Sequence, residues 1–394
     1  MNTKLVIFGI TGDLSRRKLL PVLTEVVREG ALDDFSIIGV SRREVDVAEL
    51  LGGSGADALV DRTSIFTMDL AEAGDYVRLK DSLALQEDEQ AVMYLSVPPS
   101  AAADIVDFLG QAGLNTPNVK ILFEKPFGFD LASAHEYIER TAQYFDESQL
   151  YRIDHYMAKE IAQEIVRLRS DAESKHHHWS NEDVASIEVV ASETLGVEDR
   201  ATFYEQTGAL RDFIQGHLMQ LASLVLMDIP AGFSFEQLPG FRLKALEAIE
   251  PVSPFAAQRA QYEGYQDEVE NIGSLTETFA RVELRSHDPR WVGVPIHLTT
   301  GKKLNEKRSY ITVTYKDGTH DTFEEGKVGG GGRLPDAYER VLVEAIKGNK
   351  SIFTTGPEVI RSWEIVAPVQ ESWAMDDDPL VQYPVGSTVD AIIE

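Results

Sequence analysis

The first 150 residues alternate between short, continuous apolar runs and longer stretches in which apolar positions recur with helical spacing. The runs predict strands at Lys4–Ile10, Phe35–Val40, Val92–Val97 and Val119–Phe123. The stretches between them predict helices at Asp13–Glu29, Asp75–Leu85, Ala101–Ala112 and Leu131–Tyr144. Continuous apolar strands separated by helices are typical of a parallel sheet that is covered on both faces.

The pattern changes after Lys159. Further strands are predicted at Val184–Glu193, Phe279–Leu284, Ile296–Thr300 and Tyr310–Tyr315, and helices at Ile161–Leu168, Gly208–Leu226 and Leu334–Ile346. We interpret His176–His178 as a solvated loop, because adjacent histidines cannot easily face one metal ion, and Gly329–Gly332 as a flexible loop. The predicted fold is α/β. A Rossmann-like parallel-sheet domain spans residues 1–151, and an α+β domain with a large, mostly antiparallel sheet spans 152–394.

Composition narrows the possible partners. The 394 residues contain no run of the roughly 20 apolar residues needed to span a bilayer. There is no cysteine, and the first apolar run stops at a glycine turn rather than forming a signal peptide, so we expect a cytoplasmic protein. The net charge of −28 argues against nucleic acid and anionic membranes as partners. Basic clusters therefore stand out; they are Arg16–Lys18, Arg42–Arg43, Lys302–Lys303 and Lys307–Arg308.

A possible coenzyme site follows the first predicted strand. Gly9, Thr11, Gly12, Asp13 and Leu14 lie at a strand-to-helix turn, where glycines let the backbone approach a diphosphate. Two glycines alone are a weak signal, but their position in an α/β pattern strengthens it.

The second predicted strand ends at Arg42 and Arg43, where an NAD site usually has an acid for the ribose 2′-hydroxyl. Arginine there accommodates a 2′-phosphate, so the sequence favours NADP over NAD. The alternative is a pair of surface arginines at a strand end.

The stretch Arg152–Glu160 concentrates polar chemistry. A helix that began near His155 would place His155 and Lys159 one turn apart, next to Tyr156, in an arrangement that suits a phosphate. In the alternative interpretation, Asp154 caps a solvated first turn. Lys125 follows the predicted strand Val119–Phe123, at the sheet edge where α/β folds bind ligands, although a lysine there can also form a structural ion pair.

His217 lies among apolar residues of the predicted helix Gly208–Leu226. Such a histidine is often a satisfied core residue, but a buried neutral imidazole is also suited to act as a general base. A carboxylate must then fix its tautomer, and Asp154 is a candidate. An Asp–His pair could instead bind zinc, but no third ligand stands at suitable spacing, so we expect no metal.

Six blocks, in order along the chain, resemble the signature blocks of the glucose-6-phosphate dehydrogenase family. They are Gly9–Pro21, Phe123–Gly128, Arg152–Glu160, Asp212–His217, Gly301–Arg308 and Leu334–Arg340. Any one of them could arise by chance, whereas the ordered set is highly specific.

The resemblance implies an enzyme that oxidises glucose 6-phosphate at C1 to a lactone and transfers the hydride to NADP, with NAD possible. His217 matches the catalytic base, Asp154 the carboxylate that orients it, and Lys125 the lysine between coenzyme and sugar. The remaining matches concern binding: His155, Tyr156 and Lys159 for the 6-phosphate, Glu193 and Asp212 for sugar hydroxyls, Lys302 and Lys307 as basic substrate contacts, and Gly9, Thr11, Gly12 and Arg42 for the coenzyme.

The chain departs from the family mainly between Arg308 and Leu334, where members are usually longer. In the family this region takes part in dimerisation and, in some members, carries a second NADP site. A homo-oligomer is therefore possible, but the usual dimer surface is shortened. Two alternatives stay open: a dehydrogenase of another aldose or aldose phosphate, and a non-catalytic regulatory paralogue. The paralogue predicts loss of His217, Asp154 or Lys125, and all three are present.

Overall fold

The computed structural model describes residues 2–32, 34–52, 56–230, 232–327 and 336–393. They form two compact units. The first comprises the described residues within Met1–Gly128, Ala132–Ala158 and Leu334–Gly356; the second comprises those within Phe129–Leu131, Lys159–Arg333 and Pro357–Glu394. No helix in the described part of the chain is both long and apolar enough to cross a membrane.

The strands of the described residues are β1 (Asn2–Phe8), β2 (Phe35–Ser41), β3 (Thr63–Thr67), β4 (Glu89–Leu95), β5 (Val119–Phe123), β6 (Leu150–Ile153), β7 (Val184–Ser192), β8 (Ala257–Tyr262), β9 (Phe279–Leu284), β10 (Ile296–Gly301), β11 (Arg308–Tyr315), β12 (His320–Glu324), β13 (Phe353–Thr354) and β14 (Gln382–Tyr383).

The α-helices are α1 (Leu20–Arg28), α2 (Val47–Gly52), α3 (Ala73–Leu83), α4 (Pro99–Gln111), α5 (Leu131–Ala142), α6 (Glu160–Ser170), α7 (Ala201–Ala209), α8 (Met219–Leu226), α9 (Leu238–Glu247), α10 (Tyr265–Glu268), α11 (Ala337–Lys347), α12 (Gly356–Ala374) and α13 (Val389–Ile393). π-Helical segments at Ser15–Leu19 and Leu210–Leu218 run directly into α1 and α8.

The first unit is built on a sheet with the strand order β13-β6-β5-β4-β1-β2-β3. Every neighbouring pair is parallel except β13 with β6. The central strands are buried almost throughout, which explains their continuous apolar sequences. The predicted parallel sheet is therefore confirmed, although β3, β6 and β13 were not predicted.

A late segment of the chain completes this unit. β13 pairs with β6, and the side chain of Lys120 on β5 donates hydrogen bonds to the carbonyl groups of Ala345 and Ile346 at the end of α11 (2.9 and 3.1 Å). The predicted single boundary after residue 151 therefore differs from the observed division. Part of the predicted helix Leu334–Ile346 is observed as α11; Leu334 and Pro335, like Gly329–Gly332, lie outside the described residues.

The second unit contains a sheet with the order β12-β11-β7-β10-β9-β8-β14. Most pairs are antiparallel, as predicted, but β7 and β10 run parallel, and so do β8 and β14. The π-helix Leu210–Leu218 packs against β7, β9 and β10. All residues of β10 except His297 are buried.

The predicted helix Gly208–Leu226 is confirmed as a π-helix over Leu210–Leu218 that runs into α8, and Gly208, whose φ of 67° and ψ of 175° are not helical, marks its start. Two other local predictions differ in detail from the structure. No α-helix begins at His155: a 3₁₀ turn spans His155–Ala158, and α6 starts at Glu160 after an extended Lys159. The histidine triplet, predicted as a solvated loop, has no buried residue but forms a short, anchored 3₁₀ turn rather than an irregular loop. Arg169 donates hydrogen bonds to the carbonyl groups of His176 and His177 (2.6 and 2.9 Å).

Candidate functional site

The glycine turn of the first unit follows β1 directly. Gly9 has a φ of +80°, and a Cβ atom there would lie 2.3 Å from the carbonyl oxygen of Ser96 at the end of β4. Only glycine permits this approach. Gly12 donates a backbone hydrogen bond to Gly9 (2.9 Å), and helical residues begin at Asp13. The first amide groups of a helix have no partner within the helix, so the turn presents donors suited to a diphosphate.

Arg42 and Arg43 follow β2, the neighbour of β1 in the sheet. Both side chains are exposed, and neither forms an ion pair with a described residue. The backbone N–H of Arg43 donates to the hydroxyl of Ser41 (3.2 Å). Two exposed guanidinium groups beside the glycine turn suit a phosphate on the ribose of a dinucleotide.

Lys125 and Glu124 follow β5 at the carboxyl edge of the same sheet. The Nζ atom of Lys125 is buried and has no hydrogen-bond partner among the described residues. Glu124 accepts a hydrogen bond from the hydroxyl of Tyr94, a buried residue of β4. Burial raises the pKa of the Glu124 carboxyl to about 7, and the charge of Asp154 acts in the same direction.

The turn after β6 carries Asp154, His155 and Tyr156. An Asp154 carboxylate oxygen accepts a hydrogen bond from the backbone N–H of Tyr156 (3.0 Å), so Asp154 does cap this turn. Helix α11 packs against the turn and brings Tyr338 to His155, with ring centroids 6.3 Å apart and planes at 9°. Burial raises the pKa of Tyr338, and the charges of Glu124, Asp336 and Asp154 add to this effect.

In the second unit, Glu193 and Lys302 follow the parallel strands β7 and β10, whose last residues are paired in register. This places their side chains together, and they form an ion pair. Lys302 is only 7% exposed, and its Nζ atom lies 4.9 Å from the ring centroid of Tyr204 and 5.9 Å from that of Phe213. The ion pair and the two aromatic rings therefore fix the position of the Lys302 ammonium group at this end of the sheet.

Asp212 and His217 lie on the π-helix of this unit. His217 is 6% exposed, and its ring lies edge-on to Phe213, with centroids 5.5 Å apart. Gln215 on the same segment donates a hydrogen bond to the hydroxyl of Ser362 on α12 (2.8 Å). The segment that carries the buried imidazole is therefore held on one side by its packing against the sheet and on the other by its hydrogen bond to α12.

The structure thus groups the predicted residues unit by unit. In the first unit, Asp154, His155 and Tyr156 share one turn. In the second, Glu193 contacts Lys302, whereas Lys307 is exposed and forms no ion pair with a described residue.

Several residues near these groups were missed from the sequence. Tyr94, Glu124 and Tyr338 line the first group, and Tyr204 lines the second. Glu124 is adjacent to Lys125 and could have been proposed on that ground. The others come from distant parts of the chain, and only the fold brings them in.

Comparisons with known proteins agree over the whole chain. Residues 6–164 match the model of the glucose-6-phosphate dehydrogenase NAD-binding domain, and residues 166–331 and 324–391 match that of its C-terminal domain. A glucose-6-phosphate 1-dehydrogenase of Gluconobacter oxydans is 32% identical over 455 aligned positions, covering 97% of this chain and 93% of the relative. Because 455 positions exceed the 394 residues here, the relative carries insertions that this chain lacks.

Solved structures give the same result. The glucose-6-phosphate 1-dehydrogenase of Mycobacterium avium superposes with a TM-score of 0.85 at 28% identity, covering 98% of this chain and 94% of that one. A glucose-6-phosphate dehydrogenase in complex with glucose 6-phosphate gives 0.89 at 28% identity, covering 100% and 96%.

A parallel sheet with a glycine turn, followed in the same chain by a mostly antiparallel sheet, places the protein among the two-domain dehydrogenases that use a nicotinamide coenzyme. Within that class, the chain belongs to the glucose-6-phosphate dehydrogenase family.

Proposed function

We propose that the protein oxidises D-glucose 6-phosphate at C1 to 6-phospho-D-glucono-1,5-lactone, with NADP as the hydride acceptor. The observation that carries the proposal is the Nζ atom of Lys125, a buried donor without a partner among the described residues. A buried cation in this state requires an acceptor, and oxygens of a bound sugar or coenzyme supply one. Relatives over nearly the full chain are glucose-6-phosphate dehydrogenases.

The residues present fit a dinucleotide. Gly9 packs against the Ser96 carbonyl group with a positive φ, which turns the chain sharply after β1, and helical residues begin at Asp13, where backbone N–H groups can meet a diphosphate. Arg42 and Arg43, exposed beside the turn, favour NADP because they can neutralise the 2′-phosphate. A nicotinamide coenzyme held by these residues would supply the hydride acceptor for C1.

The proton of the C1 hydroxyl goes to His217 in this proposal, while the C1–H bond breaks with its electron pair and C1 becomes the lactone carbonyl. Asp154 holds the imidazole in the tautomer that can accept the proton and stabilises the imidazolium. The charges balance, because one proton stays on the base and one hydride leaves with the coenzyme.

We assign the substrate contacts by charge. His155, Tyr156 and Lys159 bind the 6-phosphate, since together they offer cationic and hydroxyl donors. Glu193 and Asp212 accept hydrogen bonds from sugar hydroxyls. Lys302 offsets the charge of Glu193, so that a phosphorylated sugar is not repelled by this edge.

The experiment is reduction of NADP or NAD, followed spectroscopically, with glucose 6-phosphate or unphosphorylated glucose. We expect activity that needs the phosphate, prefers NADP, and falls by about 10²–10⁴-fold in kcat for His217→Ala, because a general base contributes that much. His178→Ala, at an exposed histidine of the same unit, is the matched control and should act like the wild type.

The outcome also separates the alternatives. Equal activity with glucose would reassign the substrate to unphosphorylated aldoses. A folded protein that reduces neither coenzyme with any sugar phosphate would refute the proposal and favour a regulatory paralogue.

A further inference from the structure

Ser15 and Ser96 form a hydroxyl pair beneath the turn that starts at Gly9. Ser15 stands three residues after Gly12, at the position where dinucleotide-binding turns keep a small residue so that helix and strand pack closely. It is fully buried. Its Oγ atom lies 3.0 Å from the carbonyl oxygen of Gly9 and 3.1 Å from the Oγ atom of Ser96.

The Ser15 hydroxyl is the donor in both hydrogen bonds. Its single proton is shared between two acceptors, the Gly9 carbonyl oxygen and the Oγ atom of Ser96. Ser96 also holds Gly9 through its backbone, since its N–H donates to Phe8 (3.1 Å) and its carbonyl oxygen occupies the space of a Cβ at Gly9.

We propose that Ser15 and Ser96 are positioning residues, which hold the turn of residues 9–14 in the conformation that binds the coenzyme. The inference rests on the proposed function, because it assigns a role within that coenzyme site. Neither hydroxyl has to contact the coenzyme. These hydrogen bonds join the start of the first helix to the residues that follow β1 and β4, so they restrict the conformation of the turn.

The expected effect is on coenzyme affinity. Without the Ser15 hydroxyl, the Gly9 carbonyl loses one of the two hydrogen bonds that it accepts from described residues and keeps the one from Gly12, so the turn gains conformations that do not bind. Ordering the turn then opposes binding. Loss of one such hydrogen bond should raise the Kd for NADP about two- to tenfold. An alanine at position 15 keeps the close packing, so this effect can be separated from a steric one.

The test compares Ser15→Ala, Ser96→Ala and the double variant as full chains. Calorimetric titration gives the Kd for NADP, and steady-state kinetics give kcat and both KM values. We expect each single variant to weaken NADP binding. The double variant should lose less than the sum, because the two hydroxyls act in one chain. The KM for glucose 6-phosphate and kcat should change by less than about twofold, and Ser96→Thr, which keeps a hydroxyl, should restore binding.

Thr24→Val is the matched control. Thr24 is a buried hydroxyl of α1 that donates to the carbonyl of Leu20 (2.8 Å), away from the turn. It should lose stability without losing NADP affinity. Unchanged affinity in both serine variants, or an equal loss in Thr24→Val, would overturn the inference. A wild-type protein that binds neither coenzyme would refute the proposed function itself.

Discussion

Glu124 is the residue whose chemistry depends most on burial. The Glu124 carboxyl group accepts a hydrogen bond from the Tyr94 hydroxyl at the carboxyl edge of the sheet. Lys125 is the next residue in the sequence. That hydrogen bond favours the ionised form, but burial outweighs it, and the pKa rises from 4.5 to about 7. The group therefore titrates in the range where the enzyme is expected to work.

The sign of the resulting pH dependence follows from linkage. Below pH 4.5 the carboxyl is protonated in both the folded and the unfolded chain. Between pH 4.5 and about 7, the unfolded chain releases the proton and the folded chain keeps it. The free energy of unfolding therefore falls as pH rises through this window, by about 3 kcal/mol in total.

We predict that Glu124→Gln removes this contribution, so that the variant loses less stability than the wild type between pH 4.5 and 7.5. Urea unfolding at several pH values measures it. Glu89→Gln is the control of opposite sign, because the hydrogen bond from Lys4 lowers the pKa of Glu89. That stabilisation is present above pH 4.5 and lost as pH falls. Parallel pH profiles for wild type and Glu124→Gln would contradict the prediction.

At the scale of elements, the segment that carries His217 begins at an unusual cap. Gly208 breaks the preceding helix, and the buried carboxylate of Glu277 accepts a hydrogen bond from the backbone N–H of Leu210 (2.9 Å). The carboxylate satisfies a donor at the start of the next helical segment, as an N-cap does. A Cβ atom at Gly208 would lie 2.4 Å from Glu277 Oε1.

Gly208→Ala should therefore destabilise the fold by about 2–4 kcal/mol, because it combines a strained φ with a clash against a buried acid. Activity should also fall, since the helix bearing His217 shifts. Gly264→Ala is the control: its φ of +87° gives the strain, but nothing lies within 4 Å of its Cβ position. If both variants lost the same stability, strain alone would account for Gly208, and the cap would have no special role.

A second pair of elements is joined by charge. Arg242 of α9 and Glu358 of α12 form a bidentate ion pair with both side chains fully buried (2.7 and 3.3 Å). Removing one partner leaves an uncompensated buried charge. We expect Glu358→Gln to lower the free energy of unfolding by about 3–5 kcal/mol. Glu364→Gln, which breaks the solvent-facing pair with Arg361, should cost less than about 1 kcal/mol. Chemical denaturation of both variants measures the two losses, and equal losses would contradict the prediction.

The helices and strands also show which parts of the fold could be predicted from the sequence. β5 and β9 were predicted with the observed bounds, because a strand buried on one or both faces leaves a local pattern. The helix start at Gly208 was also predicted, but the strained backbone of that residue leaves no mark on an apolar pattern of helical period. The pairing of Phe353 with Ile153 was missed because nothing local to either residue specifies a partner so distant in sequence. The same reason hid Tyr338 from the group around His155.

Over the whole molecule, the dominant feature is the net charge of −28 on 394 residues, with 65 acidic and 37 basic side chains. Like charges at this density repel one another in the compact state and less so in the unfolded chain. Screening acts over about 10 Å at 0.1 M salt and 3 Å at 1 M, so added salt should relieve the repulsion. We interpret the surface as an adaptation to high salt.

The prediction is that the unfolding temperature rises by several degrees between 0.1 and 1 M KCl, where about 2–4 °C corresponds to 1 kcal/mol in a domain of 150–250 residues. Sorbitol at matched osmolality is the control, because it favours burial without screening charge. A rise that saturates once the Debye length falls below the spacing of surface charges is the signature of screening. A linear rise shared with sorbitol would point to solute exclusion instead. An unfolding temperature indifferent to salt would mean that the acidic groups are already compensated locally, as Glu193 is by Lys302, and the salt-adaptation interpretation would be wrong.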